Sequence, residues 1–384
     1  MATETGDKFD EEGHRQTSEP PAKLDIDAVH SGDHLRTLVM RDQYGGAGRG
    51  GGQGCGDGRK STTYSRARDG RDNRRSGRPP CNGCVQIRSD NGRTIGPVCP
   101  GPGQAGELQR GTDFVDRIPG YERQGLVCAG PSQALDKNGA DGVVVTHGTD
   151  TLEETAFFLD NVLHGDKPVV IVGSMRPATA VSADGPGNLY EAVQVAADPR
   201  SRGRGVMAVL NDMARSVTKT NTTSIETFNS PNGGPIGYVD TAGGIRFMSQ
   251  VSGLKRTTYE LPTNEQLPRV EIVYSHANMD AVPIEDAISH GAKGIVLAGV
   301  GDGNTSKQAL DALEMAAKKG IIVVRSTRVR SGFVTRNVEV DDDKNGFVVS
   351  EDLSPQKARV LTQLLIASGV TAPAELQRAF TATW

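Results

Sequence analysis

The stretch Asp141–Asp160, "DGVVVTHGTDTLEETAFFLD", decides how the rest of the chain is read. Gly142–Thr146 is a β-branched run, the composition of a strand buried on both faces. From Leu152 the spacing changes to that of a helix, through Leu152, Thr155, Ala156, Leu159 and Val162. The polar residues His147–Thr151 lie at the switch. The same alternation continues: "KPVVIVGS" reads as a strand, "GNLYEAVQVAA" as a helix and "GVMAVLND" as a strand. Strand and helix in alternation predict an α/β fold with a parallel sheet covered by helices. A second, smaller block begins near Leu267. It runs from "RVEIVYS" through "AVPIEDAISHG", "GIVLAGVGDGN" and "SKQALDALEMAAKKG" to "GIIVVRST". Residues 134–254 therefore read as a larger first domain, 255–268 as a linker and 269–384 as a smaller α/β domain. No internal repeat is visible.

Composition excludes several classes. A chain of 384 residues accommodates two cores. A net charge of −4 argues against nucleic-acid binding by the whole chain. No apolar run approaches the roughly 20 residues needed to span a bilayer, and the N-terminus reads without a signal-peptide core. All five cysteines (Cys55, Cys81, Cys84, Cys99, Cys128) precede the α/β pattern, so no disulfide framework is expected there. "CNGC" at Cys81–Cys84 supplies half a metal site and finds no second pair.

Residues 45–110 have another texture, dense in Gly, Arg and Pro. "RARDGRDNRRSGRPP" (Arg66–Pro80) carries six Arg in fifteen residues. Such a stretch cannot bury enough apolar surface to offset its chain entropy, and residues 1–133 are expected to be largely irregular. Taken at face value it resembles an Arg/Gly arm that binds RNA.

Two polar clusters follow strands, where open α/β sheets place their ligands. In the first, Thr149, Asp150 or Thr151 could cap the helix, with Asp150–Glu153 or Thr151–Glu154 as a capping box. Alternatively the cluster faces a substrate. His147 alone reads as structural. The second, "SVTKTNTTSIETF" (Ser216–Phe228), sets Lys219 among five threonines. A buried lysine with a lowered pKa could serve as base for a hydroxyl nucleophile.

"DGVVVTHGTDTLEETAFFLD", "KPVVIVGSMRPATAVSADGPGNLYEAV", "VTKTNTT" and "SPQKARVL" occur in that order. Together they resemble the bacterial type II L-asparaginases over residues 135–384. The resemblance implies hydrolysis of L-asparagine to aspartate and ammonia, weaker action on L-glutamine, no cofactor and no metal. It implies a threonine nucleophile, an acyl-enzyme, and a homotetramer whose sites lie between two subunits. By that resemblance Thr149, Asp150 and Lys219 form a catalytic group, and Gly148, Thr149 and Asp150 contact substrate. Asn278 and Glu339 would reach the substrate amine from a neighbouring copy. The segment before Lys219 is slightly shorter than in the family.

The family's nucleophile motif "ATGGTIAG" and its "SQDM" are absent as written. Arg68–Ser76 can be encoded CGC GAC GGG CGG GAC AAT CGC CGG TCN. Read one base later, this spells A-T-G-G-T-I-A-G. Ile118–Val127 can be ATC CCA GGA TAT GAA CGA CAA GGT CTG GTN, which one base later spells S-Q-D-M-N-D-K-V-W. The N-terminal third is therefore expected to be an enzyme gene translated out of frame, with the frame restored near Pro131–Ala134. Shifted codons over Gly45–Gly58 would suit a signal-peptide core, so the intact product is expected to be periplasmic or secreted. The rival expectation is an RNA-binding arm on a catalytically dead amidohydrolase scaffold. Neither membrane nor specific nucleic acid is an expected partner.

Overall fold

The computed structural model describes residues 24–31, 35–42, 85–88, 94–98 and 141–382, except 212, 217–220, 225–226, 241–243, 252–256 and 263–265. Strands β1 (Leu24–Ser31), β2 (Leu35–Asp42), β3 (Val85–Arg88) and β4 (Thr94–Val98) precede the predicted α/β pattern. Then come β5 (Gly142–Thr146), α1 (Leu152–Val162), β6 (Val169–Val172), α2 (Gly185–Ala197) and β7 (Val206–Leu210). Short strands β8 (Met213–Ser216), β9 (Asn221–Ser224), β10 (Thr227–Asn229), β11 (Gly237–Val239) and β12 (Ile245–Phe247) complete the first domain. The second domain holds β13 (Val270–Tyr274), α3 (Val282–Ser289), β14 (Gly294–Gly299), α4 (Lys307–Lys318) and β15 (Ile322–Thr327). It closes with α5 (Asp342–Asn345), β16 (Val348–Val349), α6 (Pro355–Ala367) and α7 (Pro373–Thr381).

The first sheet has the order β1-β2-β5-β6-β7-β8-β11-β12. Its centre, β5-β6-β7, is parallel as expected, and antiparallel strands extend it on both sides. The place beside β5 is filled by β2, in the register Leu38↔Val144. Within residues 1–133 the described residues are these four strands, of which β1 and β2 pair within the first sheet and β3 pairs with β4. The second sheet, β13-β14-β15-β16, is parallel throughout.

Alternation along the buried strands divides the core. Val144, Val170 and Val172 face α2 through Ala192, Val193, Val195 and Ala196. Val143, Val145 and Ile171 turn to the other face. There they join Leu152, Ala156, Phe157 and Leu159 of α1, and the same apolar cluster continues into the second domain through Val296, Val324, Leu361, Leu364 and Leu365. Helices α1 and α6 therefore share one core between the two sheets. Between the domains the Tyr259 N–H donates to the Asn161 carbonyl (2.8 Å), and Tyr259, Leu261 and Leu267 pack against that core.

One charge lies inside the second domain. Arg325, in the middle of β15, is fully buried. Its guanidinium donates to both carboxylate oxygens of Asp342, at 2.6 and 2.8 Å, and to the carbonyls of Asp302, Gly303 and Thr335. Asp342 also accepts from the Asn337 N–H (2.8 Å). The fork thus fastens the segment after β15 to the loop after β14. Gly303 makes room for it: its φ is +75°, and a Cβ there would lie 2.9 Å from Val334 and 3.1 Å from the Arg325 guanidinium.

Removing one partner of such a pair leaves an uncompensated buried charge. Asp342→Ala is expected to lower unfolding stability by about 3–5 kcal/mol in urea titrations. The double variant Arg325→Met/Asp342→Leu should recover most of that loss, because it removes both charges together.

Candidate active site

The first polar group sits on the exit of β5. Thr149–Thr151 forms a single 3-10 turn, and α1 begins at Leu152. The expected cap does not form. Gly148 and Thr151 take the N-cap positions of the turn and the helix, and neither position makes a side-chain cap hydrogen bond. Thr149 and Asp150 are taken up by the 3-10 turn ahead of the helix, whereas Thr151 does stand at the N-cap, at φ −130° and ψ 21°, without a side-chain cap bond. Among the described residues the side chains of Thr149 and Asp150 make no hydrogen bond, with Thr149 half-buried and Asp150 exposed.

The turn is braced from below. His147 is buried, and its Nδ1 bonds the Gly148 carbonyl (2.6 Å) while its Nε2 pairs with the Thr155 hydroxyl (3.0 Å). Burial lowers its pKa, against the bond to Gly148, so the ring is neutral. A neutral imidazole donates from one nitrogen and accepts at the other; here Nδ1 donates and Nε2 accepts. His147 is structural, as the sequence suggests. Gly173, at the exit of β6, allows the close approach of this turn. A Cβ on it would meet the His147 carbonyl at 2.7 Å and Thr149 Cγ2 at 3.2 Å.

The neighbouring loop is fixed by Asp184, which sequence reading missed. Its carboxylate accepts from the N–H groups of Met175 and Arg176 and from Asn188 Nδ2, each at 2.9 Å. Asn188 also donates to the Gly173 carbonyl (2.9 Å) and accepts from Asn211 N–H (3.2 Å). The carboxyl ends of β6 and β7 are thereby tied into one frame. The motif "SADGPGN" holds both Asp184 and Asn188 one helical turn apart, and that spacing was the available signal. Lys219 lies outside the described residues, between β8 and β9, as do Cys81 and Cys84.

The second group is built in the other domain. Asn278 sits at φ +61°, in the left-handed region that asparagine tolerates, on the loop after β13. That loop is pinned to residues 304–306: Ser275 and Thr305 hydroxyls pair at 2.9 Å, and Ser306 Oγ donates to the Met279 carbonyl (2.6 Å). Glu339, after β15, accepts from Asn304 Nδ2 (2.9 Å). Asn278 and Glu339 thus both border the loop after β14. Asn304 was not singled out from sequence, although "GDGNTS" marked that strand exit. No hydrogen bond joins Thr149 or Asp150 to Asn278 or Glu339 among the described residues.

Helix α1 carries a further ionisable group close to the turn. Burial, and then the neighbouring Glu153, push the Glu154 carboxyl up to about 7. Arg359 of α6 approaches it at 3.8 Å, too far for a hydrogen bond, and burial lowers the pKa of that arginine. Desolvation and repulsion outweigh the attraction. Among the described residues no group of three or more His, Cys, Asp or Glu is placed to hold a metal ion. No helix among them is long and apolar enough to cross a membrane.

Known families match both domains. The family model "Asparaginase, N-terminal" matches residues 130–252, and "Glutaminase/Asparaginase C-terminal domain" matches residues 269–380. A Haemophilus influenzae protein named "Probable L-asparaginase periplasmic" is 51% identical over 233 residues, which is 59% of this chain and 66% of the relative. L-asparaginase 2 of Escherichia coli K12 is 50% identical over 252 residues, 64% of this chain and 71% of the relative. Glutaminase-asparaginase of Pseudomonas fluorescens is 42% identical over 256 residues, 65% of this chain and 70% of the relative. The chain thus spans about two thirds of the length of these relatives.

A carboxyl group with a raised folded-state pKa binds a proton more tightly folded than unfolded. Between its ordinary 4.5 and about 7, stability therefore falls as pH rises. Glu154→Gln should remove that fall. Its gain over the parent should grow from pH 4.5 to 7 and level off at roughly 1–3 kcal/mol, the 27% exposure of the Glu154 side chain limiting the effect. A variant less stable than the parent above pH 7 in thermal melts would mean that the Arg359 attraction dominates.

Proposed function

The chain belongs to the asparaginase/glutaminase family, and from that premise we propose that its site is built to hydrolyse the side-chain amide of L-asparagine, with L-glutamine as the weaker substrate. The relatives' names carry both amides. A threonine hydroxyl attacks the amide carbon, ammonia leaves, and water releases the acyl group as aspartate. Asp150 receives the substrate ammonium, and Gly148 and Thr149 line the same turn. Thr149 holds the attacking water or hydroxyl, and Lys219 takes its proton. A second copy of the chain supplies Asn278 and Glu339 to the substrate amine in a homotetramer. The observation that carries this reading is the turn itself: Thr149 and Asp150 stand at a strand's carboxyl end with no cap to form.

The primary nucleophile belongs to the displaced frame. The threonine that straddles Asp72 and Asn73 and the serine that straddles Ile118 and Pro119 complete the pocket once residues 60–133 are read one base later. The family match begins at residue 130, beside the point where the frame is restored. The Gly-rich turn of the restored motif lets backbone N–H groups approach a developing oxyanion. A relative named periplasmic supports export of the restored product.

The chain as written should show at most trace asparaginase activity, because losing one member of a coupled catalytic group costs orders of magnitude. Ammonia release near 10 per second, about the median for enzymes, would overturn the need for the first loop. The frame-restored protein should hydrolyse asparagine, and Lys219→Met in it should lower the rate at least about 100-fold. A folded, tetrameric, restored protein that leaves asparagine untouched would defeat the assignment. Firm, salt-dependent RNA binding by the chain as written would favour the Arg/Gly-arm reading instead.

A further inference from the structure

A contact between the two domains carries a chemistry that amide hydrolysis at the site does not use. The turn 231–234, between β10 and β11, reaches the segment after β15. There the two backbone groups of one glycine meet one primary amide: the Gly332 N–H donates to Asn232 Oδ1 (2.9 Å), and Asn232 Nδ2 donates back to the Gly332 carbonyl (3.3 Å). The same Nδ2 lies 3.4 Å from Asp352 Oδ2. Gly332 has φ +100°, a conformation open to glycine, which turns both of its backbone groups toward the amide. Only a side chain that both donates and accepts can close this clamp. A carboxylate accepts only.

The residue after Asn232 is Gly233, which is exposed. We propose that Asn232 is a deamidation site, and that its conversion to a carboxylate releases the turn 231–234 from the segment after β15. The Gly233 backbone nitrogen attacks Asn232 Cγ, forming a C–N bond. The Cγ–Nδ2 bond breaks and the nitrogen leaves as ammonia, taking the Gly233 amide proton. The resulting five-membered imide adds water and opens at either carbonyl, giving aspartate or isoaspartate. Water is the only co-reactant. Without a Cβ on Gly233 the ring closes unhindered, and the leaving Nδ2 is held by two long contacts. In the product, two carboxylates face each other where the amide bridged Gly332 and Asp352, and like charges so close repel. The segment so released leads directly to Glu339.

The other Asn-Gly pair among the described residues, Asn345-Gly346, serves as an internal comparison. The Gly233 N–H makes one long bond, to the Ser230 carbonyl (3.4 Å), whereas Gly346, after Asn345, holds its N–H on both the Asp342 and Asp343 carbonyls at the end of α5, in a helix cap. The purified 384-residue chain would be incubated at mildly alkaline pH and digested with trypsin. Tandem mass spectrometry would then read acid and isoaspartate at each asparagine. Asn232 should convert before Asn345, and Gly233→Ala should slow that conversion several-fold. Asn232→Asp should speed limited tryptic cleavage after the exposed Arg330 several-fold over the parent, and more than Asn232→Ala, which loses the clamp without adding charge. Asn232 remaining an amide while Asn345 converts would overturn the proposal. So would unchanged cleavage after Arg330 in Asn232→Asp.

Discussion

Everything at the candidate site hangs from the burial of α1 against α6. The two helices lie between two sheets and contribute to one apolar cluster, so neither domain has a complete core without the other. Leu152, Phe157 and Leu159 are fully buried there, and each stabilises the pairing by about 1.5–3 kcal/mol. The turn that carries Thr149 and Asp150 is the entry to α1. Its position is therefore set by the packing of both domains, and the neutral His147 and the side-chain-free Gly173 hold it there. Glu154 shows the cost of this arrangement: a carboxyl on the first turn of α1 sits in the shared interface and resists ionisation.

The second domain reaches the same end by another route. Its loops are fixed by buried polar groups. Arg325 gathers three carbonyls and a carboxylate, and the loop it holds presents Asn304 to Glu339. In the first domain Asp184 and Asn188 do comparable work at the ends of β6 and β7. In both, neighbouring parallel strands supply the platform and a polar residue sets the loop above it.

The parallel strands and their helices were legible because β-branched runs and helical spacing report burial directly. Val206–Leu210 and Ile322–Thr327 are as clear in the sequence as in the structure. The capping boxes Asp150–Glu153 and Thr151–Glu154 were misleading: a 3-10 turn takes up Thr149–Thr151, and although Thr151 stands at the N-cap of the helix its side chain makes no cap bond. Arg325 interrupts "IIVVRST", a sign of a buried charge, but its partner Asp342 is too distant in sequence to be found by pattern. Asn304 and Glu339 likewise meet only through the fold. The strands β8 to β12 are three or four residues long, too short for periodicity to reveal. The Gly- and Arg-rich first third defeats pattern reading for a different reason: in the proposed account its amino acids were never selected to fold.

That account stands or falls on the coding DNA across codons 60–135. It requires Asp72 as GAC, Asn73 as AAT, Tyr121 as TAT and Leu126 as CTG, since each of these codons supplies bases to the family's motifs in the neighbouring frame. Those four codons in a single sequencing read are the predicted result. Tyr121 as TAC with Leu126 as TTA would contradict it, and the N-terminal third would then be a segment in its own right.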